Sequence, residues 1–181
     1  MRLNRIFYGW VIAAVFFITA FAGWGTTQGT FGVFVNPLGE HMGWSRTAVS
    51  AAFSINIAVG FLFGAFWGWL ADRWTMHGVL AVTGALLGTG VFLGSFANDL
   101  WYFYLFYGFV AGTGLGGIAG PLSALIGRWF QNRPGMGLAL GLGTAGIHAG
   151  VAVLPILSEY VTSQQDWRSA FRILSFIIWG A

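Results

Sequence analysis

Five polar or aromatic side chains stand within otherwise apolar stretches of this sequence: Gln28, Asn56, Tyr104, Tyr107 and His148. Each can form a hydrogen bond, and each is costly to place among apolar groups without a partner. A hydrogen bond to a neighbouring helix would satisfy any of them, and so would a polar solute. The sequence therefore predicts these residues as candidate contacts for a small solute, held on helices that cross an apolar medium.

Enzyme chemistry is poorly supported by the motifs of the chain. Two glycine-rich segments, beginning at Gly112 and Gly141, match the dinucleotide-binding fingerprint. That fingerprint requires a preceding strand and a tight turn, whereas both segments lie within predicted helices. The sequence contains no phosphate-binding loop, no His-Glu-x-x-His, no Gly-x-Ser-x-Gly and no cysteine. We therefore expect neither an enzyme nor a bound cofactor or metal.

The composition indicates a membrane protein. Of 181 residues, 57% are hydrophobic and 7% are charged, against about 25% charged in soluble domains. The net charge of +3 comes from arginines that occur singly rather than in a patch. We therefore expect a lipid bilayer, and not a nucleic acid, to be the partner of this surface.

The charged residues are separated by apolar stretches long enough to cross a bilayer, which takes about 20 residues of helix. The pattern predicts five complete spans, over residues 8–35, 48–71, 78–97, 100–127 and 135–157, and an incomplete sixth over 167–181. These runs are apolar on every face, which excludes the alternation of barrel strands. We predict an all-α, polytopic transmembrane bundle that forms one unit over residues 1–181, with its sixth helix truncated.

Arginine is unevenly distributed between the two sides of this bundle. One side holds five arginines and one acid, Arg2, Arg5, Arg73, Arg128, Arg133 and Asp72, and the other holds two arginines and four acids. The positive-inside rule places the first side, with the N-terminus, in the cytoplasm. Asp72 and Arg73 are predicted to form either a solvated turn or a gating charge pair. Arg133 is expected to hold its loop by contact with lipid phosphate.

Glycines recur four residues apart along the predicted helices. Small residues at this spacing let helix backbones approach closely in lipid. We predict packing contacts at Gly64, Gly112, Gly116, Gly146 and Gly150, and at the last two a smooth surface along which one bundle could rock.

Several motifs resemble those of the major facilitator superfamily. Gly68-Trp-Leu-Ala-Asp72-Arg73 resembles the loop motif between the second and third helices of that family, although Thr75, Met76 and His77 depart from its usual continuation. The closer resemblance is to the monocarboxylate transporter and oxalate:formate antiporter branch. It is carried by Phe7-Tyr-Gly-Trp10, by Gly43-Trp44-Ser45-Arg46 and by Arg128-Trp-Phe-Gln-Asn-Arg133.

The resemblance implies a fold of two six-helix halves with a solute site between them, of which this chain supplies the first half. It implies transport of a small organic anion, such as a monocarboxylate, oxalate or formate, by a secondary active or facilitative carrier with alternating access. A C-terminal half, absent from this chain, is then the expected protein partner, and a bacterial inner membrane is the expected location. Two alternatives remain open: a non-transporting fragment or scaffold, and a multidrug exporter, which predicts acidic groups in the cavity.

Overall fold

A computed structural model describes residues 7–181, and within that range the chain is helical with no strand. The predicted all-α fold is confirmed. Arg2 and Arg5 lie outside the described residues. The elements are α1 (Tyr8–Trp24), the π-helical segment π1 (Gly25–Gly29), α2 (Phe31–Met42), α3 (Arg46–Arg73), α4 (Met76–Gly94), α5 (Leu100–Phe103), the π-helical segment π2 (Tyr104–Val110), α6 (Ala111–Leu115), α7 (Ala119–Trp129), α8 (Met136–Gln164) and α9 (Trp167–Gly180).

Among the described residues, five helical segments are long and apolar enough to cross a membrane. We call them the first to fifth spans: Tyr8–Gly29, Arg46–Arg73, Met76–Gly94, Leu100–Trp129 and Met136–Gln164. The second span ends at Arg73 and the fourth ends beside Arg128, so these ends define the arginine-rich side of the bundle. The other ends define the opposite side.

Side-chain caps explain where four helices begin. Ser45 accepts a hydrogen bond from the Ala48 N–H at 3.2 Å, and Thr75 accepts one from the Gly78 N–H at 3.3 Å. Asp99 and Asp166 do the same for α5 and α9. Each cap satisfies a backbone donor that has no partner within its own helix.

The helices differ from the predicted spans in three places. The first predicted span, 8–35, divides at Thr30: the membrane-spanning segment ends at Gly29, and α2 continues through Pro37 to Met42, before Gly43 with φ +68°. The fifth helix extends seven residues beyond the predicted end at 157, to Gln164. The fourth is interrupted between Leu115 and Ala119, because a run of glycines precedes Pro121, whose ring disfavours helix in the preceding turn.

Glycines allow the first and fifth spans to touch through their backbones. A Cβ added at Gly146 would overlap the Phe17 carbonyl oxygen, and one at Gly150 would overlap the Phe21 carbonyl oxygen. No larger residue fits at these positions without separating the helices. In lipid, where apolar burial does not drive association, such close contact accumulates dispersion energy.

The second and fourth spans also meet at glycines. A Cβ at Gly112 would lie 2.6 Å from the Asn56 carbonyl oxygen, and one at Gly116 would overlap the Gly60 carbonyl oxygen. Gly64 differs, because a Cβ there would lie 3.6 Å from the nearest atom, which is ordinary van der Waals contact. The close approach therefore involves Gly112 and Gly116 and does not require glycine at 64.

On the opposite side, Arg168 joins the connections between helices. Its Nη1 donates to the Ser95 carbonyl at 2.8 Å, and its Nη2 donates to the Ala97 carbonyl at 3.0 Å and to Asn98 Oδ1 at 2.9 Å. The guanidinium also lies 4.6 Å from the Trp167 ring centroid. A cation here satisfies carbonyls at the end of α4 that have no partner within the helix.

Asp166 is the N-cap residue of α9. Partial burial raises the pKa of this carboxyl, but hydrogen bonds from Ser169 and the charges of Arg172 and Arg168 outweigh that effect and lower the pKa below its ordinary value. The cap is therefore ionised at neutral pH. Its contribution to stability is lost only as the pH falls below the usual aspartate range, through the lowered pKa.

We expect Gly146→Ala to destabilise the bundle by about 1–3 kcal/mol, because the added methyl group overlaps a backbone oxygen that cannot rotate away. The matched control is Gly141→Ala on the same helix, where a Cβ meets nothing within 4 Å. The control should equal the parent or be more stable by up to about 1 kcal/mol, because alanine has the higher helix propensity. Thermal unfolding in detergent measures both, and equal melting temperatures for the two variants would contradict this packing.

Candidate solute-binding site

The first and fourth spans each contain a π-helical segment. In π1, the Thr30 N–H bonds to the Gly25 carbonyl at 3.2 Å, five residues back. Its sequence, Gly-Thr-Thr-Gln-Gly, consists largely of residues with weak helix propensity. A Cβ at Gly25 would lie 2.7 Å from Gly150, and one at Gly29 would lie 2.8 Å from Val151. The backbone of α8 therefore supports π1 from one side, in a distortion often found at functional sites.

Two buried hydrogen bonds connect the two π-helical segments to the second span. Asn56 Nδ2 donates to the Tyr107 carbonyl at 2.8 Å, and the Tyr107 hydroxyl donates to the Thr27 carbonyl at 3.0 Å. Asn56 and Thr27 are fully buried, and Tyr107 is 3% exposed. The changed register of a π turn leaves carbonyl oxygens for outside donors, and these side chains supply the donors. The first, second and fourth spans are thus joined at one level.

The predicted candidates fall into three groups. Asn56 and Tyr107 belong to this buried chain of hydrogen bonds. Tyr104 donates to the Ala48 carbonyl at 2.9 Å, which ties the fourth span to the start of the second. His148 is exposed on the face of α8 that points away from the bundle, and Gln28 is half-buried in π1. Among the described residues, neither His148 nor Gln28 has a side-chain hydrogen bond that would occupy its polar atoms.

A cavity of about 250 Å³ lies between the first, second and fourth spans. Its walls are apolar apart from one indole, and they comprise Trp24, Ile57, Gly60, Phe61, Gly64, Ala65, Leu115, Gly116, Ala119 and Gly120. The five predicted binding residues are not among them. Asn56 and Gln28 are the nearest in sequence, one residue before Ile57 and four residues after Trp24. The cavity and the chain of hydrogen bonds are therefore neighbours on the same three spans.

Three buried polar atoms close to this junction have no hydrogen-bond partner within residues 7–181: Trp24 Nε1, Thr26 Oγ1 and Asn56 Oδ1. A buried polar group without a partner is destabilising by about 1–3 kcal/mol. Such groups are uncommon in folded proteins, and binding is one of their explanations. The three atoms are an indole donor, a hydroxyl and an amide oxygen, and of their residues Trp24 lines the cavity. A compact solute that reached these atoms would supply their missing partners.

Trp24 was missed as a candidate by the sequence analysis. The signal that could have found it is its position. Tryptophan in membrane proteins is enriched at the interfaces, whereas Trp24 lies inside the predicted span 8–35, between Gly23 and Gly25. The sequence also gave no indication that Tyr107 would bond to the first span, since the two residues are 80 positions apart. Among the described residues, no group of three or more His, Cys, Asp or Glu side chains could hold a metal.

On the arginine-rich side, Asp72 forms an ion pair with Arg128 rather than with the adjacent Arg73. Arg73 lies over the Trp69 ring, with its guanidinium carbon 4.3 Å from the ring centroid. Arg133 lies over Phe7 at the same distance. The ion pair connects the end of the second span to the end of the fourth, at the level where a cavity of about 180 Å³ opens between them.

The chain matches a family model described as Major Facilitator Superfamily over residues 12–179. It is 28% identical over 170 residues to monocarboxylate transporter 2 of Mesocricetus auratus, which covers 94% of this chain and 34% of that protein. It is 29% identical to the probable transporter MCH2 of Saccharomyces cerevisiae, over 77% of this chain and 29% of that protein. It is 30% identical to the riboflavin transporter RibJ of Trypanosoma brucei brucei, over 72% and 24%. The chain thus spans about a third or less of the length of these curated relatives, which are transporters and not enzymes.

We expect the Asp72–Arg128 ion pair to add little to stability, because both side chains are more than half exposed. A double-mutant cycle with Asp72→Asn and Arg128→Gln should give a coupling no larger than about 1 kcal/mol in detergent. Thermal unfolding of the two single variants and the double variant measures it. A coupling of several kcal/mol would contradict an exposed pair.

Proposed function

The chain belongs to the major facilitator superfamily, and on that premise we propose that it forms the N-terminal half of a carrier that moves a small organic anion across a membrane by alternating access. The chain is an integral membrane protein, with five membrane-spanning helices among its described residues. The proposal covers secondary active and facilitative transport alike.

The observation that carries this proposal is the convergence of polar groups at one level of the bundle. Hydrogen-bonding side chains at membrane depth are costly unless they serve a solute pathway or join helices. Here Asn56 and Tyr107 join helices, while Trp24 Nε1 and the half-buried Gln28 make no side-chain hydrogen bond among the described residues, and Trp24 lines the cavity. The first and fourth spans would therefore line the pathway, with Trp24 and Gln28 facing the solute.

The proposed solute class is a monocarboxylate or a small dicarboxylate such as oxalate. Two considerations support it: relatives named monocarboxylate transporters match 94% of the chain, and the polar atoms available at the site include the donors that a carboxylate accepts from. Among the described residues, the cavity is lined by neither a cation nor an acid. A neutral wall of this kind leaves the charge of an anion to be balanced elsewhere in the carrier. It also disfavours a multidrug exporter, which would need an acidic group for its cationic drugs.

A second helical bundle is the proposed protein partner. On α8, Gly137, Gly141, Thr144 and His148 are exposed and share one face, and a Cβ at either glycine would meet nothing within 4 Å. Small and polar residues suit contact with another helix better than contact with lipid tails. Since the chain spans about a third of its relatives' length, we propose that a C-terminal half covers this face.

We also propose that the arginine-rich side is cytoplasmic, because Arg73, Arg128 and Arg133 all lie there. The opening motif resembles bacterial members of the family, so the proposed location is a bacterial inner membrane, although the relatives reported above are eukaryotic. The chain has no cysteine. A single cysteine at Arg73 or at Asp99 would therefore report the side of each turn by labelling in intact cells.

We expect counterflow of labelled lactate or oxalate in proteoliposomes that contain the protein, tested both as this chain and as the longest product of its reading frame. Gln28→Ala should raise the KM for the anion by about ten- to a hundredfold, since one hydrogen bond to a charged group contributes about 1.5–3 kcal/mol. The matched control is Gln131→Ala, the same change in an exposed turn on the arginine-rich side. Its KM should equal that of the parent.

Two outcomes would overturn the proposal, and a third would overturn the role of Gln28. Absence of counterflow for every anion, at any protein density and with the longest product, would favour a non-transporting fragment or scaffold. Uptake of a lipophilic cation in place of the anions would favour an exporter. Equal KM values for the Gln28 and Gln131 variants would remove Gln28 from the pathway.

A further inference from the structure

We infer that Tyr107 is a positioning residue, which holds π1 in place so that the adjacent Gln28 faces the solute pathway. The inference rests on the proposed function for the role of Gln28. The contact itself is a single hydrogen bond from the Tyr107 hydroxyl to the carbonyl of Thr27, the residue before Gln28.

Tyr107 is fixed by its surroundings and does not itself reach the pathway. Its ring stacks on Phe103, with centroids 5.0 Å apart and planes 3° from parallel, and it lies 5.7 Å from the Phe171 ring of α9. Its backbone carbonyl accepts the hydrogen bond of Asn56. The side chain is 3% exposed, so it is held by packing on all sides, and its hydroxyl already has an acceptor.

π1 lies between the Tyr107 side chain and α8. On one side, Gly25 and Gly29 lie against the backbone of Gly150 and Val151. On another, the Tyr107 hydroxyl bonds to the Thr27 carbonyl, while the Thr27 hydroxyl bonds to the Gly23 carbonyl at 2.9 Å. The van der Waals contacts of Gly25 and Gly29 with α8 do not depend on direction. The hydrogen bond to the Thr27 carbonyl does, because it requires that carbonyl to point at Tyr107, and this fixes the rotation of π1 about its axis. The hydroxyl of Tyr107 therefore determines which way residue 28 points.

The test compares Tyr107→Phe with two controls, one on the fourth span and one on the second. Tyr102→Phe removes a hydroxyl that makes no side-chain hydrogen bond among the described residues. Trp67→Phe removes a different bond between the second and fourth spans, from Trp67 Nε1 to the Thr113 carbonyl at 2.7 Å. Tyr107→Phe should raise the KM for the anion about tenfold at unchanged kcat, whereas both controls should stay within about twofold of the parent KM.

A second measurement does not depend on transport. Because the chain contains no cysteine, Gln28→Cys provides a single reporter whose rate of labelling by a water-soluble maleimide measures the exposure of residue 28. Adding Tyr107→Phe should change that rate at least fivefold, and adding Tyr102→Phe or Trp67→Phe should not. Asn56→Leu, which frees the Tyr107 carbonyl but keeps the hydroxyl, should give a smaller change and serves if Tyr107→Phe does not fold.

The outcomes separate this inference from the proposed function. A labelling rate that responds to Tyr107→Phe alone supports the positioning role even if no anion is transported. Equal labelling rates in all variants, or an equal change with Trp67→Phe, would overturn the positioning role while leaving transport intact. If Tyr107→Phe and Trp67→Phe changed the KM equally and lowered the melting temperature equally, Tyr107 would contribute to packing stability and not specifically to the position of Gln28.

Discussion

In hydrocarbon, every backbone donor and acceptor must find its partner within the protein, and this constraint shapes the whole bundle. Regular helix meets it without help. The two π-helical segments depart from regular helix, and each supplies a carbonyl that a neighbouring span satisfies: Tyr107 donates to Thr27, and Asn56 donates to Tyr107. The two distortions are therefore connected to each other and to the second span by these hydrogen bonds.

The helix pairs of the bundle are held by different forces. The first and fifth spans meet through backbone contact at Gly146 and Gly150, which is close but not directional. The second and fourth spans also meet at glycines, and they add directional hydrogen bonds from Asn56 and Trp67. Among the described residues, the charges of the five spans lie near the ends of those spans, where Asp72 pairs with Arg128 and Arg168 caps the end of α4. This distribution leaves a neutral interior suited to a solute held by hydrogen bonds.

Sequence reasoning was most successful for properties that follow from composition. The all-α class and the superfamily followed from charge-free runs and from short motifs such as Gly68-Trp-Leu-Ala-Asp72-Arg73. The polar residues were recognised because polarity in an apolar run is visible in the letters alone. Their roles could not be predicted, because Tyr107 and Thr27 are 80 residues apart. The sequence does not show whether a hydroxyl donates its hydrogen bond to a carbonyl or to a solute.

By itself, the sequence determined that this chain lies in lipid as a bundle of helices, since the cost of burying polar backbone and charge depends on residue type and run length. Only the tertiary structure decided which polar groups are used in packing and which keep free donors. Arg128 rather than Arg73 pairs with Asp72, and Trp24 rather than Tyr107 lines the cavity. The physical reason is that hydrogen bonds and ion pairs act over a few ångströms, so partners follow from helix rotation and close approach, which local sequence does not encode.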